Sequence, residues 1–129
     1  MTAADARVVL LTAPSEEVAV HIARTLVEER LLACANLVPG ARSIYRWQGA
    51  LCDEREVLLI GKTIAGRVDA LLARVPELHP YQTPELLVLG VGAGLPGYLA
   101  WLGESASNAA LAASASAVAW RPPDSSNSK

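Results

Sequence analysis

The chain has 129 residues, 52% of them hydrophobic, a formal net charge of −2 and no phenylalanine. These values fit one domain with an aliphatic core, and the lack of a Lys/Arg block argues against nucleic acid or an anionic membrane as a partner. The two cysteines lack CxxC spacing, and no apolar run approaches the ~20 residues of a membrane span. Because the N-terminal sequence also lacks a signal-peptide pattern, we expect a reduced cytoplasmic protein.

The first elements in chain order are a strand and a helix. Residues 7–13 contain a short continuous aliphatic run, which is typical of a strand buried on both faces. A helix is predicted after Ser15, because serine is a favoured N-cap and the two glutamates that follow it suit the positive end of the helix dipole. Apolar residues then recur at helical spacing as far as Val27. His21 lies beside this stripe, and we interpret it as a packed or surface histidine.

A long β-hairpin is predicted next, over residues 33–63. Its two arms are rich in β-branched, aromatic and aliphatic residues, and the dipeptide Gln48-Gly49 between them indicates the turn. Each arm is about twice a typical strand of ~5–6 residues, so the rest of a small domain cannot cover it. Pro39-Gly40 interrupts the first arm and predicts a bulge or kink.

The second half of the chain repeats the alternation of helix and strand. Its pattern predicts a helix over residues 65–77 with Pro76 at its end, a proline-restricted loop over 79–85, a buried strand over 86–89 and a short helix over 96–103.

The composition changes near the end of the chain. Residues 105–129 are rich in alanine and serine and can bury little surface, so we expect a mobile extension of a domain that spans residues 1–104.

The element order predicts the fold class. Strand, helix, strand, strand, helix, strand and a final short helix make an α+β, ferredoxin-like βαββαβ sandwich with a long hairpin. Two helices cover only one face of its sheet, yet residues 8–11, 57–60 and 86–89 are apolar on both faces. The uncovered face and the free hairpin edges therefore predict assembly with further copies of the same chain.

Six segments carry a more specific pattern. They are Leu11-Thr12-Ala13-Pro14 and the runs at residues 33–40, 43–49, 59–63, 79–85 and 98–102. Together they resemble the CutA family, the divalent-cation tolerance proteins, over roughly Arg7 to Glu104. The resemblance implies a ferredoxin-like protomer in a tight homotrimer, a role in tolerance of copper and other divalent cations, and no established enzymatic activity. The chain departs from the family in its longer tail and in Cys52, which is not a family position.

Two residues within the matching segments have side chains that can bind copper. Copper favours thiolate and imidazole ligands, so Cys34 and His79 are the predicted metal ligands, for copper(II) or another divalent cation. No paired-Cys or HxxxH spacing predicts a structural zinc site. The alternatives are a small buried thiol and a histidine hydrogen-bonded to backbone.

A second set of residues predicts a ligand cleft between subunits. Lys62 is unexpected in an apolar strand and needs a partner or an exposed cleft, and Glu85 is the partner we expect. Asn36, Trp47 and Tyr81 complete the predicted cleft. The alternative is a structural ion pair at a subunit interface.

We consider three functions for this sequence. The first is a homotrimeric, copper-binding protein of divalent-cation tolerance, and the second is a trimeric small-molecule sensor. The third, an acylphosphatase-like enzyme, needs an anion-binding loop with an arginine after the first strand, which residues 12–15 lack. An RNA-recognition module is disfavoured because the strands lack stacking aromatics on a basic face. We therefore expect no enzyme, and no partner other than the protein itself.

Overall fold

The structure is a computed structural model that describes residues 2–107. The expected mobile extension lies almost wholly outside this range. The last helix runs to Ala106, beyond the expected domain boundary at residue 104. Ala106 is buried, and Arg30 Nη1 donates a hydrogen bond to the Ser105 carbonyl at 3.0 Å. The packed domain therefore includes the first two residues that the sequence assigned to the extension.

The element order confirms the predicted ferredoxin-like plan. The elements are β1 (Ala6–Ala13), α1 (Glu16–Glu28), β2 (Cys34–Trp47), β3 (Ala50–Ile64), α2 (Val68–Leu78), β4 (Leu86–Gly90) and α3 (Pro96–Ala106), with short 3-10 turns at Ala3–Asp5 and Ala65–Arg67. The four strands form one antiparallel sheet in the order β2-β3-β1-β4.

Capping interactions define both ends of α1. Ser15 Oγ accepts a hydrogen bond from the Val18 N–H at 3.2 Å, which confirms the predicted cap. At the other end Arg30 adopts a left-handed conformation with φ of 59°, and the Leu31 N–H donates to the Leu26 carbonyl at 2.9 Å, as in a Schellman motif. In α2 the helix continues to Leu78, past the proline expected to end it.

The main core lies between α1, α2 and one face of the sheet. It is aliphatic, as the composition predicts, and its largest fully buried side chains are Val9, Leu11, Ile22, Leu26, Leu32, Leu59, Leu71 and Val75. Gly61 of β3 allows a close approach here, since a Cβ at this position would lie 2.9 Å from Leu32 Cδ2. A larger residue would force the buried Leu32 side chain to move.

The opposite face of the sheet, called the open face here, is also apolar. The strand register aligns its residues across all four strands: Cys34, Asn36 and Val38 of β2, Leu58, Ile60 and Lys62 of β3, Val8, Leu10 and Thr12 of β1, and Leu87 and Leu89 of β4. Helix α3 covers only one end, where Leu99 and Leu102 pack with Ala6 and Ile64. Leu87 remains 57% exposed.

The predicted hairpin projects well beyond the sheet. Strand β1 pairs with β3 only as far as Val57, so residues 41–56 form a two-stranded ribbon with no neighbouring strand in the described chain. A register shift follows Val38, where Gly40 has φ of 82°, which confirms the predicted bulge. At the tip Gln48 and Gly49 have φ of 50° and 82°, the pattern of a type I′ turn.

Candidate functional site

Apart from His79, the predicted site residues lie in two places. The first, on the open face beside α3, is called the open-face cluster and comprises Cys34, Asn36, Lys62 and Tyr98. The second, between the loop after α2 and the base of the ribbon, is called the ribbon cleft and is lined by Thr12, Ser43, Ile44, Tyr45, Trp47, Glu56, Tyr81, Gln82, Thr83 and Glu85.

In the open-face cluster a lysine and a cysteine are neighbours. Cys34 and Lys62 are paired across β2 and β3, and Lys62 Nζ donates to Asn36 Oδ1. The Cys34 sulfur lies 3.4 Å from the Tyr98 hydroxyl oxygen. Burial and this contact raise the pKa of Tyr98, so the phenol stays protonated. The expected pair between Lys62 and Glu85 does not form within the chain, because Glu85 lies in the ribbon cleft.

His79 connects the loop after α2 to the end of β1 through a side-chain hydrogen bond. Its side chain is buried, Nε2 lies 2.7 Å from the Thr12 carbonyl oxygen, and Nδ1 accepts a hydrogen bond from the Tyr81 N–H at 3.1 Å. This geometry fits a neutral ring that carries its hydrogen on Nε2. Both nitrogens are engaged, so a metal ion could bind His79 only after one of these hydrogen bonds opens.

The ribbon cleft has a volume of about 550 Å³ and a buried carboxylate in its wall. Glu56 is 7% exposed, and its Oε2 accepts a hydrogen bond from the Tyr81 hydroxyl at 2.7 Å. Burial, followed by this hydrogen bond, raises the pKa of Tyr81. A hydrogen bond to Glu54 raises the pKa of Tyr45 to about 12. Both phenols are therefore neutral donors.

Glu56 is the site residue that the sequence prediction missed. It ends the charged run 53–56, which is typical of an exposed turn. Its place in the two-residue alternation of β3, two positions before Leu58 and four before Ile60, indicates the open face and was the available signal. Tyr81 comes from a loop 25 residues away, and its hydrogen bond to Glu56 could not be read from the sequence.

Other features of the described residues bear on metal and membrane binding. Residues 2–107 contain no group of three or more His, Cys, Asp or Glu side chains that could hold a metal ion. Cys52 is half-buried and His21 is exposed, as expected for a surface histidine. Within the same part of the chain no helix has the length and apolar character needed to span a bilayer.

Comparisons with known proteins agree on one family. A family model described as CutA1 divalent ion tolerance protein matches residues 7–105. The Divalent-cation tolerance protein CutA of Thermus thermophilus is 53% identical over 98 residues, which are 76% of this chain and 95% of that protein. The names of these relatives describe cation tolerance and no reaction.

Solved structures give the same result. The divalent cation tolerance protein Cut A1 from Thermus thermophilus matches with a TM-score of 0.77 at 51% identity, covering 79% of this chain and 99% of that one. The periplasmic divalent cation tolerance protein CutA from Archaeoglobus fulgidus matches with a TM-score of 0.76 at 31% identity, covering 79% and 99%. The chain thus belongs to the CutA1 family of divalent ion tolerance proteins.

Proposed function

We propose that this protein acts as a homotrimer in the tolerance of divalent cations, and that the trimer binds copper. The observation that carries the proposal is the open face together with the unpaired ribbon. Both are surfaces that a second chain can cover, the first by apolar burial and the second by strand pairing. The ribbon and the open face differ in shape, so a contact between them is head-to-tail, and such contacts close into rings when the rotation fits.

Two exposed leucines provide a test of this assembly. Leu87 lies on the open face and is 57% exposed, whereas Leu72 lies on α2 and is 45% exposed. Leu87→Lys should dissociate the trimer, because it introduces a charge into a surface that the trimer buries. Leu72→Lys is the matched control and should remain a trimer. Equal masses of the two variants in light scattering would contradict the proposed interface.

Cys34 and His79 are the proposed copper ligands. Cys34 is half-buried on the open face, so the trimer brings other chains toward its thiol. Binding to His79 requires one of its two ring hydrogen bonds, with the Thr12 carbonyl or the Tyr81 N–H, to open. A thiolate and an imidazole are both ligands that copper favours, and an assembly interface can supply the rest of a coordination shell.

Calorimetric titration with copper in a non-thiol reductant tests these ligands. Cys34→Ser and His79→Ala should weaken binding, whereas Cys52→Ser and His21→Ala are matched controls that should bind as the parent does. The melting temperature of each apo-protein must be measured in parallel, because His79→Ala also removes two buried hydrogen bonds. If all four variants bind copper like the parent, neither Cys34 nor His79 is a ligand.

We place the protein in the cytoplasm. Cys34 and Cys52 are both free thiols, which suits a reducing compartment. Cell fractionation tests this placement. Recovery in a periplasmic fraction, as the name of the Archaeoglobus relative suggests for that protein, would contradict it.

A second candidate function is the sensing of a small molecule. The ribbon cleft favours it, since its volume of about 550 Å³ lies in the range of small-molecule sites, ~300–1,000 Å³. A saturable shift in melting temperature with a metabolite, independent of metal, would support this function.

A further inference from the structure

The charged side chains that line the ribbon cleft are negative. Among residues 2–107, Glu56 and Glu85 are the carboxylates of the lining, and no lysine, arginine or histidine of this range belongs to it. Glu56 is a nine-tenths buried carboxylate, and its Oε2 is occupied by the Tyr81 hydroxyl. The second oxygen, Oε1, accepts no hydrogen bond from residues 2–107 and is not enclosed by protein. One carboxylate oxygen therefore remains available to a donor in the cleft.

Three of the other lining residues are aromatic. Tyr45, Trp47 and Tyr81 line the cleft, and Trp47 is partly exposed there. The hydroxyls of both tyrosines donate to glutamates, to Glu54 and Glu56 respectively. Their rings thus stay neutral and electron-rich, and the faces of such rings attract cations. Carboxylates and aromatic faces in one lining are complementary to a cation that also has apolar surface.

The same lining disfavours other ligand classes. An anion would meet carboxylates and no positive side chain. A bare divalent metal ion prefers several oxygen ligands at ~2.0–2.6 Å, whereas the cleft offers two carboxylates and far more space than an ion fills. A purely apolar ligand would cover Glu56 Oε1 without offering it a hydrogen-bond donor.

We propose that the ribbon cleft binds a small organic cation, with an alkyl-ammonium or guanidinium head at Glu56 and Glu85 and its apolar part against Trp47 and Tyr45. The proposal rests on the ligand-binding candidate above and not on copper binding at Cys34. The two can therefore fail separately.

Titration of the full chain with butylammonium and butylguanidinium tests the proposal, with tryptophan fluorescence and calorimetry as readouts. Neutral butanol and anionic butyrate are probes of matched size. We expect saturable binding of the two cations and no saturable binding of the other two probes. Glu56→Gln should weaken cation binding by about tenfold or more, because a charge-assisted hydrogen bond contributes about twice a neutral one. Trimer mass and copper binding should not change.

Two further variants keep the test decisive. Glu28→Gln removes one exposed charge at the end of α1 and should bind the cations like the parent. Glu85→Gln, at an exposed position, should weaken binding even if Glu56→Gln fails to fold. Cations that bind no better than butanol, or an equal loss in Glu28→Gln and Glu85→Gln, would overturn the proposal.

Discussion

Thr63 is a residue whose side chain weakens the fold. It is completely buried on the helix-facing side of β3, and its hydroxyl has no hydrogen-bond partner among residues 2–107. Burying an unpaired hydroxyl costs about 1–3 kcal/mol, and valine has nearly the same shape without one. We expect Thr63→Val to raise the free energy of unfolding by ~1–2 kcal/mol in a denaturant titration.

A second threonine supplies the control. Thr25 Oγ1 donates to the His21 carbonyl at 2.8 Å on the surface of α1, so Thr25→Val should bring no comparable gain. A Thr63→Val protein less stable than the parent would show that the buried hydroxyl has a partner.

The three tyrosines predict that the stability of the folded protein depends on pH. The hydrogen bond to Glu54 raises the pKa of Tyr45 to about 12, and burial is the first cause of the raised pKa values of Tyr81 and Tyr98. A raised folded-state pKa means that the folded protein holds the proton more tightly. The stabilisation is therefore complete below the unfolded pKa of ~10 and is lost as the pH rises through the folded value.

Ultraviolet titration measures this effect. At pH ~11 the folded protein should contain little tyrosinate, whereas protein in urea should be largely ionised. Glu54→Gln should lower the pKa of Tyr45 most, because the hydrogen bond to Glu54 is the largest cause of its raised pKa, and that of Tyr81 less, because Glu54 is a lesser cause there. Coincident folded and unfolded titration curves, with circular dichroism confirming the fold, would contradict the assignment of these hydrogen bonds.

Within one chain the predicted cleft residues do not all lie together. Lys62 pairs with Val8 near the start of β1, whereas His79 holds the loop after α2 at Thr12, near the end of β1. The predicted pair of Lys62 and Glu85 between subunits stays a prediction. Residue type and strand alternation indicate which face a side chain occupies. They do not give the path of a loop, and that path brings Tyr81 to Glu56.

At the scale of elements, the turn at the hairpin tip joins the two strands of the ribbon. Gln48 and Gly49 both have positive φ, which glycine and asparagine tolerate best. Gly49→Ala should lower the free energy of unfolding by ~1 kcal/mol. Gln48→Asn should leave it unchanged or raise it.

A second glycine, Gly66, is the control for this prediction. Gly66, in the 3-10 turn before α2, has no positive φ, and a Cβ there would meet nothing within 4 Å. Gly66→Ala should therefore be neutral or stabilising. If Gly49→Ala and Gly66→Ala have equal effects on the melting temperature, the turn conformation is not what limits substitution at Gly49.

The elements were largely predictable, but their packing was less so. Alternation and aliphatic runs identified every strand, and Ser15 identified the start of α1. The position of α3 across one end of the open face was not predicted. It depends on the register that brings Ala6 opposite Ile64 and leaves room for Leu99 and Leu102.

At the scale of the whole molecule, a single chain leaves two surfaces uncovered. The open face carries exposed leucines on β4, and the ribbon of residues 41–56 has no neighbouring strand in the described chain. Within the ribbon, Arg42 and Asp53 form a two-point salt bridge with contacts of 2.8 and 2.7 Å, but both side chains are exposed, so its contribution to stability is small. If further copies of the chain cover both surfaces, as proposed above, the protein is a homotrimer.

Sedimentation analysis of the full chain, from micromolar to nanomolar concentration and without added metal, tests this claim most directly. We expect a single species with three times the mass of one chain, and no dissociation in the micromolar range. A folded monomer at micromolar concentration would contradict it, because the open face and the ribbon would then be stable in water without a partner.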